Sequence, residues 1–196
     1  LCVEEGGFVA LAGPSGSGKT TLLNILGGLD RADAGDLAVQ GTNLSSLDTA
    51  RLADFRLRHI GFVFQAYNLI PTLTAAENAE YVAALQGIPA PKRRQDVTRL
   101  FEELGIGSCL KRRPAELSGG QQQRVAVARA ILAEPKIVFA DEPTANLDSA
   151  TGAGLIDLMR QLNEKRGVTF VLATHDAMVM DRARTLVRMK DGRIIA

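Results

Sequence analysis

The chain contains no tryptophan and only two tyrosines in 196 residues. That scarcity argues against a platform on which nucleic-acid bases stack. There is no excess of either charge: 23 Lys and Arg stand against 22 Asp and Glu, a formal net charge of +1. A strongly basic nucleic-acid-binding domain is therefore not the first reading, and nucleic acid is not expected as a partner. The two cysteines, Cys2 and Cys109, form neither a CxxC pair nor a cluster with histidine. Such thiols are expected to be reduced, in a cytosolic chain. Long apolar runs are missing as well. Val168 to Ala173 and Ile137 to Ala140 are strand-length, whereas a spanning helix needs ~20 apolar residues. No basic segment followed by an apolar stretch opens the chain, so no signal peptide is expected.

What is present suits one α/β domain. Hydrophobic residues make up 46% of the chain, enough for a core without disulfides or metals. Apolar runs at 8–12, 60–64, 137–140, 168–173 and 185–189 predict strands, with Leu37 and Val39 suggesting an exposed one. Between them, helices are predicted over 19–26, 49–58, 118–132, 150–166 and 176–182. Leu22, Leu23, Ile25 and Leu26 are expected to pack the first helix inward. From Thr74 to Leu110 the texture is helical: Thr74 and Glu77 form a capping-box pattern, Gly87 and the Pro89/Pro91 pair act as breaks, and an amphipathic helix covers 92–104. Alternating strands and helices predict a mainly parallel sheet with helices on both faces, carrying a helical insertion at about 66–133.

Gly13-Pro14-Ser15-Gly16-Ser17-Gly18-Lys19-Thr20 fits GxxxxGK[ST] between a predicted strand and a predicted helix. Glycines let successive N–H groups curl toward one phosphate, and the helix start adds its positive end. Lys19 would reach the β and γ phosphates, and Thr20 would offer a hydroxyl to Mg²⁺. A GxGxxG dinucleotide reading fails, because nothing after Gly16-Ser17-Gly18 supplies the third glycine. The strand Ile137–Ala140 ends in Asp141-Glu142. In phosphate-loop NTPases a strand-end Asp holds Mg²⁺, and the following acid can reach an attacking water.

Leu117-Ser118-Gly119-Gly120-Gln121, followed by Gln122-Gln123-Arg124 and an Ala-rich helix just before that strand, narrows the class. The whole chain resembles the nucleotide-binding subunit of ABC transporters. Phe62-Val63-Phe64-Gln65, Asn68-Leu69-Ile70-Pro71, Leu73-Thr74-Ala75 and the run Ala140 to Asp148 look closest to the subfamily of lipoprotein release and macrolide export. The resemblance implies a phosphate-loop NTPase of the ABC ATPase fold with ATP and Mg²⁺ as cofactors. It implies that Gly13, Ser15, Gly16, Ser17, Gly18, Lys19, Thr20 and Thr21 bind the nucleotide and that Thr20, Gln65 and Asp141 hold the metal. Glu142 becomes the catalytic carboxylate, with His175, Gln65 and Lys19 completing the site. Ser118, Gly119, Gly120 and Gln121 would act in trans on nucleotide held by a second ATPase subunit, head to tail, with Asp148 at the interface. His59 has no motif and is read as structural.

The same resemblance implies a membrane permease as partner and a peripheral place on the cytoplasmic face of the inner membrane. Gln65 to Leu85, with Tyr67, Leu69, Ile70, Leu73 and Tyr81, either packs internally or receives a helix of that permease. Lys92-Arg93-Arg94 and Lys111-Arg112-Arg113 read as solvated faces. A chain starting at Leu1 is expected to lack the strand segment that carries an adenine-stacking aromatic residue in the family. Chromosome and repair ATPases share the signature but are split by long coiled coils, and no heptad run occurs here. An ABC-type module that signals or recruits without transport stays open as the alternative.

Overall fold

The computed structural model describes residues 1–195. Its centre is a six-stranded sheet in the order β4-β5-β6-β1-β7-β8. The middle strands are β1 (Phe8–Ala12), β6 (Thr169–Thr174) and β5 (Ile137–Asp141), flanked by β4 (Ile60–Val63) and β7 (Thr185–Lys190). These five run parallel, and only β8 (Arg193–Ile195) is antiparallel, joined to β7 through Asp191-Gly192. A strand after that turn was not expected. Its three exposed residues are too few to show an alternating pattern.

The core follows from period-2 alternation along the strands. Phe8, Val138, Ala140, Phe170 and Leu172 point to one face, whereas Val9, Leu11, Phe139, Val171 and Ala173 point to the other. The first face is covered by α5 (Gly119–Leu132), α6 (Ser149–Arg166) and α7 (Ala177–Arg182) through Val125, Leu155, Ile156 and Val179. The second is covered by α1 (Lys19–Leu26) and α2 (Thr49–His59) through Leu23, Leu52 and Phe55. Both faces are therefore apolar, as parallel sheets require. Phe8 and Phe170 are opposite in register with ring centroids 5.6 Å apart, and burying each ring stabilises by ~1.5–3 kcal/mol.

Outside the first face, α3 (Ala75–Leu85) and α4 (Ala90–Glu103) pack on α5, enclosing Ala79, Ala83, Leu100 and Phe101. The Thr74–Glu77 capping box forms as expected. Buried Asn78 pins the preceding loop: its Oδ1 accepts from Ile70 N at 2.7 Å, and its Nδ2 donates to the carbonyls of Ile70, Leu73 and Thr74.

Gly87 and Pro89 separate α3 from α4 as expected, and Pro91 sits in the first turn of α4, where its missing N–H costs nothing. In α1 Leu23 is buried, and half-buried Leu22 and Leu26 pack on the same core; with half-buried Ile25 they also line an open cleft of about 390 Å³ with Val3, Leu37 and Val39. One expectation needs correction. Leu37 is not in a strand; β2 (Ala38–Val39) pairs with β3 (Thr42–Asn43) in a small hairpin apart from the main sheet.

Candidate nucleotide site

Sheet topology collects the motif residues at one edge. β1 lies between β6 and β7, with β5 and β4 next in line, and all five end on the same side. Ala12 pairs with Thr174, Asp141 with Ala173, and Val63 with Ala140. The loop after β1, Gln65 after β4, Asp141-Glu142 on β5 and His175 after β6 therefore emerge side by side. Ligands of open α/β sheets bind at this carboxyl end.

The phosphate loop ends in an uncapped helix. Gly18, the residue before α1, is left-handed at φ 91 and no side chain caps it. By contrast Asp48, Thr74, Ser118, Asp148 and Asp176 cap α2, α3, α5, α6 and α7 with their side chains. The free N–H groups over Lys19, Thr20 and Thr21, with no acid in the first turn, form an open anion seat. Gly13 is required by close approach, since a Cβ there would collide with the Met189 carbonyl and the Ser17 hydroxyl. Ser17 Oγ is buried without a hydrogen-bond partner. The β7–β8 turn props the loop from outside, with Gly192 N donating to Ser17 O at 3.1 Å.

Lys19 is 6% exposed. Its Nζ donates to Gly13 O at 2.8 Å and Pro14 O at 3.1 Å, and lies 3.7 Å from Glu142 Oε1. Glu142 Oε1 lies within hydrogen-bond distance of His175 Nδ1, at 2.8 Å. Its backbone is left-handed at φ 44, held by its N–H on Ala173 O at 2.9 Å. A non-glycine in that region is costly unless its surroundings fix it, and such residues gather at functional sites. Thr20 Oγ1 donates to Asp141 Oδ1 at 3.1 Å. Burial raises the Asp141 pKa, helped by the like charge of Glu142 and opposed by the Thr20 bond and Lys19.

Not every expected residue joins this cluster. Gln65 stands beside it with an exposed side chain, and its carbonyl accepts from Asn146 Nδ2 at 2.9 Å. Ser118 caps α5 in a reciprocal box with Gln121. The atoms facing Gly119 and Gly120 come from Tyr67, Asn146, Leu147 and Thr151, not from the chain's own phosphate loop. Asp148 is exposed and caps α6, and its bonds from Thr151 hold its pKa below the usual value. His59 packs its ring 4.6 Å from that of Phe55, in keeping with a structural role.

Some site ties had no sequence signal. Gln123 is buried and donates to Pro143 O at 2.9 Å, steadying the turn after Glu142. In the run Gln121-Gln122-Gln123 only the helical phase separates it from its neighbours. In the segment after Gln65, Leu69 packs on the core, whereas Tyr81 and Leu85 are 43% and 59% exposed. Lys92 pairs with Asp96 at the surface, as a solvated face would, whereas Arg93 is largely covered, paired with Glu80 and donating to the Ile88 carbonyl.

An anion seat at an uncapped helix, a lysine over it and two acids at the neighbouring strand end define a phosphate-loop nucleotide-binding protein. The particular kind is fixed by comparison with known proteins. Residues 1–145 match the ABC transporter family, and the chain belongs to it as an ATP-binding cassette. It is 46% identical over 197 residues to the lipoprotein-releasing system ATP-binding protein LolD of Anaeromyxobacter dehalogenans, covering 100% of this chain and 82% of LolD. It is 48% identical over 196 residues to the macrolide export ATP-binding/permease protein MacB of Rhodopirellula baltica. There the match covers 99% of this chain and only 29% of the relative. The ATP-binding cassette MJ0796, solved as a dimer in a post-hydrolysis state bound to ADP and Pi, superposes with a TM-score of 0.92 at 40% identity. That likeness covers 100% of this chain and 86% of MJ0796.

Proposed function

We propose that the cassette hydrolyses ATP and couples hydrolysis to a separate membrane permease, in export or lipoprotein release. The observation that carries this reading is the convergence of Lys19, Glu142, His175, Asp141 and Thr20 at the carboxyl edge of the sheet. The free N–H groups of Gly13, Ser15, Gly16, Gly18, Lys19, Thr20 and Thr21 cradle the phosphates, while that of Ser17 shapes the loop by donating to Pro14 O at 3.2 Å. Lys19 supplies a point charge, and Glu142 orients or deprotonates the attacking water. His175 holds the Glu142 carboxylate in place, and Gln65 closes the site from the next strand.

The donor set suits Mg²⁺. Thr20 and Asp141 bring two hard oxygens together, and the exposed amide of Gln65 is a third within the same edge. Bound there, the ion would neutralise charge on the phosphates.

Ser118, Gly119, Gly120 and Gln121 face away from their own loop, so their use on phosphate requires a second chain, with Asp148 near the join. We assign residues 66–133 to a helical subdomain that carries this signature and offers Tyr81 and Leu85 to the permease. No helix among the described residues is long and apolar enough to cross a membrane. A peripheral place on the cytoplasmic face of the inner membrane follows from this reading. The test is ATP turnover by the full-length chain, alone and with the co-purified membrane subunit. Turnover that rises with the subunit is expected; none in either sample would refute hydrolysis, and no response would refute the coupling.

A further inference from the structure

The segment that leaves Gln65 is a strained turn held by a cation from another element. Asn68 N donates to Ala66 O at 2.6 Å, closing a three-residue turn around Tyr67 at φ 58. Asn68 follows at φ 50. Two consecutive non-glycine residues in the left-handed region, in a turn of this hand, are unfavourable on their own. The turn persists only if something outside it fixes it.

Arg129, in the last turn of α5, meets that need. One guanidinium nitrogen donates to Tyr67 O at 2.8 Å and the other to Asn68 O. Its charge is half-buried, and burial lowers its pKa. No carboxylate pairs with it among the described residues. The two carbonyls are thus its compensation, and a shift of the turn would leave a desolvated cation short of acceptors. A planar fork suits two adjacent carbonyls in a way a lysine ammonium does not.

The same turn meets two other site elements. Asn146, just before Asp148, donates to the Gln65 carbonyl at 2.9 Å. The Tyr67 hydroxyl lies so close to Gly119 that a Cβ there would be 2.9 Å from it. The turn therefore touches the loop after Glu142 on one side and the start of α5 on the other, while α5 grips it from below through its far end.

We propose that Arg129 is a positioning residue: it locks the Tyr67-Asn68 turn so that Gln65 is delivered to the nucleotide edge in one place. The proposal rests on the role given to Gln65 above. It also gives α5 a second use, since the helix that starts at the signature ends on the residue that fixes Gln65.

The experiment compares Arg129→Met, Arg129→Lys, Gln65→Ala and the double variant Arg129→Met/Asn68→Gly in the full-length chain. It measures kcat and KM for ATP, nucleotide affinity and thermal unfolding. Arg129→Met is expected to keep KM and affinity while kcat falls about ten- to a hundredfold, as for a small misplacement of a catalytic group. Arg129→Lys should fall between Met and wild type. Glycine adopts the left-handed region without a Cβ penalty, so Asn68→Gly should bring the double variant back to within about threefold of wild type. A structural defect elsewhere in α5 would not be rescued at Asn68. Wild-type kcat in Arg129→Met, or no rescue by Asn68→Gly, overturns the proposal. Should Arg129→Met fail to fold, the lysine and double variants are read by the same criteria. Wild-type turnover in Gln65→Ala would refute the role of Gln65 itself. Loss in Gln65→Ala with wild-type turnover in Arg129→Met would refute only the role of Arg129.

Discussion

Lys19 is a nearly buried cation whose donors end on the carbonyls of Gly13 and Pro14, with Glu142 as its only ion-pair partner among the described residues. That seat is preorganised to receive phosphate, and Lys19→Ala removes it. The affinity for ATP, measured by equilibrium binding, should drop about ten- to a hundredfold, the worth of ~1.5–3 kcal/mol for hydrogen bonds to a charged group. Unchanged affinity would remove Lys19 from the site. The placement of Lys19, Thr20 and Asp141 was legible because it depends on short-range patterns: a loop that opens a helix, and an acid at a strand end. Asn146 and Arg129 were not legible. Both act on main-chain carbonyls far away in sequence, and a carbonyl has no residue type to recognise.

At the scale of elements, side chains cap α2, α3, α5, α6 and α7, whereas α1 and α4 start without one and of these two only α1 opens from the phosphate loop. Ser118 accepts from Gln121 N at 3.3 Å, and Gln121 Oε1 accepts from Ser118 N at 3.0 Å. Ser118→Ala should lower unfolding free energy by ~1 kcal/mol in denaturant titration, as cap deletions do. Asp148 gives a pH-dependent counterpart. Its folded pKa lies below the ordinary 3.8 because Thr151 bonds its charged form. It therefore stabilises the fold above pH 3.8 and loses that contribution as pH falls through the lower folded value. The stability gap between wild type and Asp148→Ala should be constant near neutrality and close in acid, followed by thermal melts across pH. A gap that persists at low pH would count against the cap. Helices were the best-read elements, since caps and apolar stripes mark their limits. Short edge pieces were not. β2 and β3 have two residues each and β8 three, lengths at which alternation carries no signal.

At the scale of the whole molecule, the proposed function needs two groups of residues that do not meet within one chain. The phosphate loop and Glu142 lie at the carboxyl edge of the sheet, whereas Gly119 and Gly120 look onto Tyr67, Asn146 and Thr151. A second copy turned head to tail would bring each half to its complement, with an isologous two-fold interface. The γ-phosphate would then be the bond between chains, made on binding ATP and lost on hydrolysis. The Glu142→Gln variant isolates this step. It keeps the shape of the side chain and the phosphate seat while removing the carboxylate, and loss of a positioned base typically costs about 10²–10⁴ in rate. The direct measurement is the solution mass of full-length Glu142→Gln by light scattering, with Mg²⁺-ATP and with Mg²⁺-ADP. The account predicts twice the chain mass with ATP and a single chain with ADP; a single chain in both, or turnover at the wild-type rate, would contradict it.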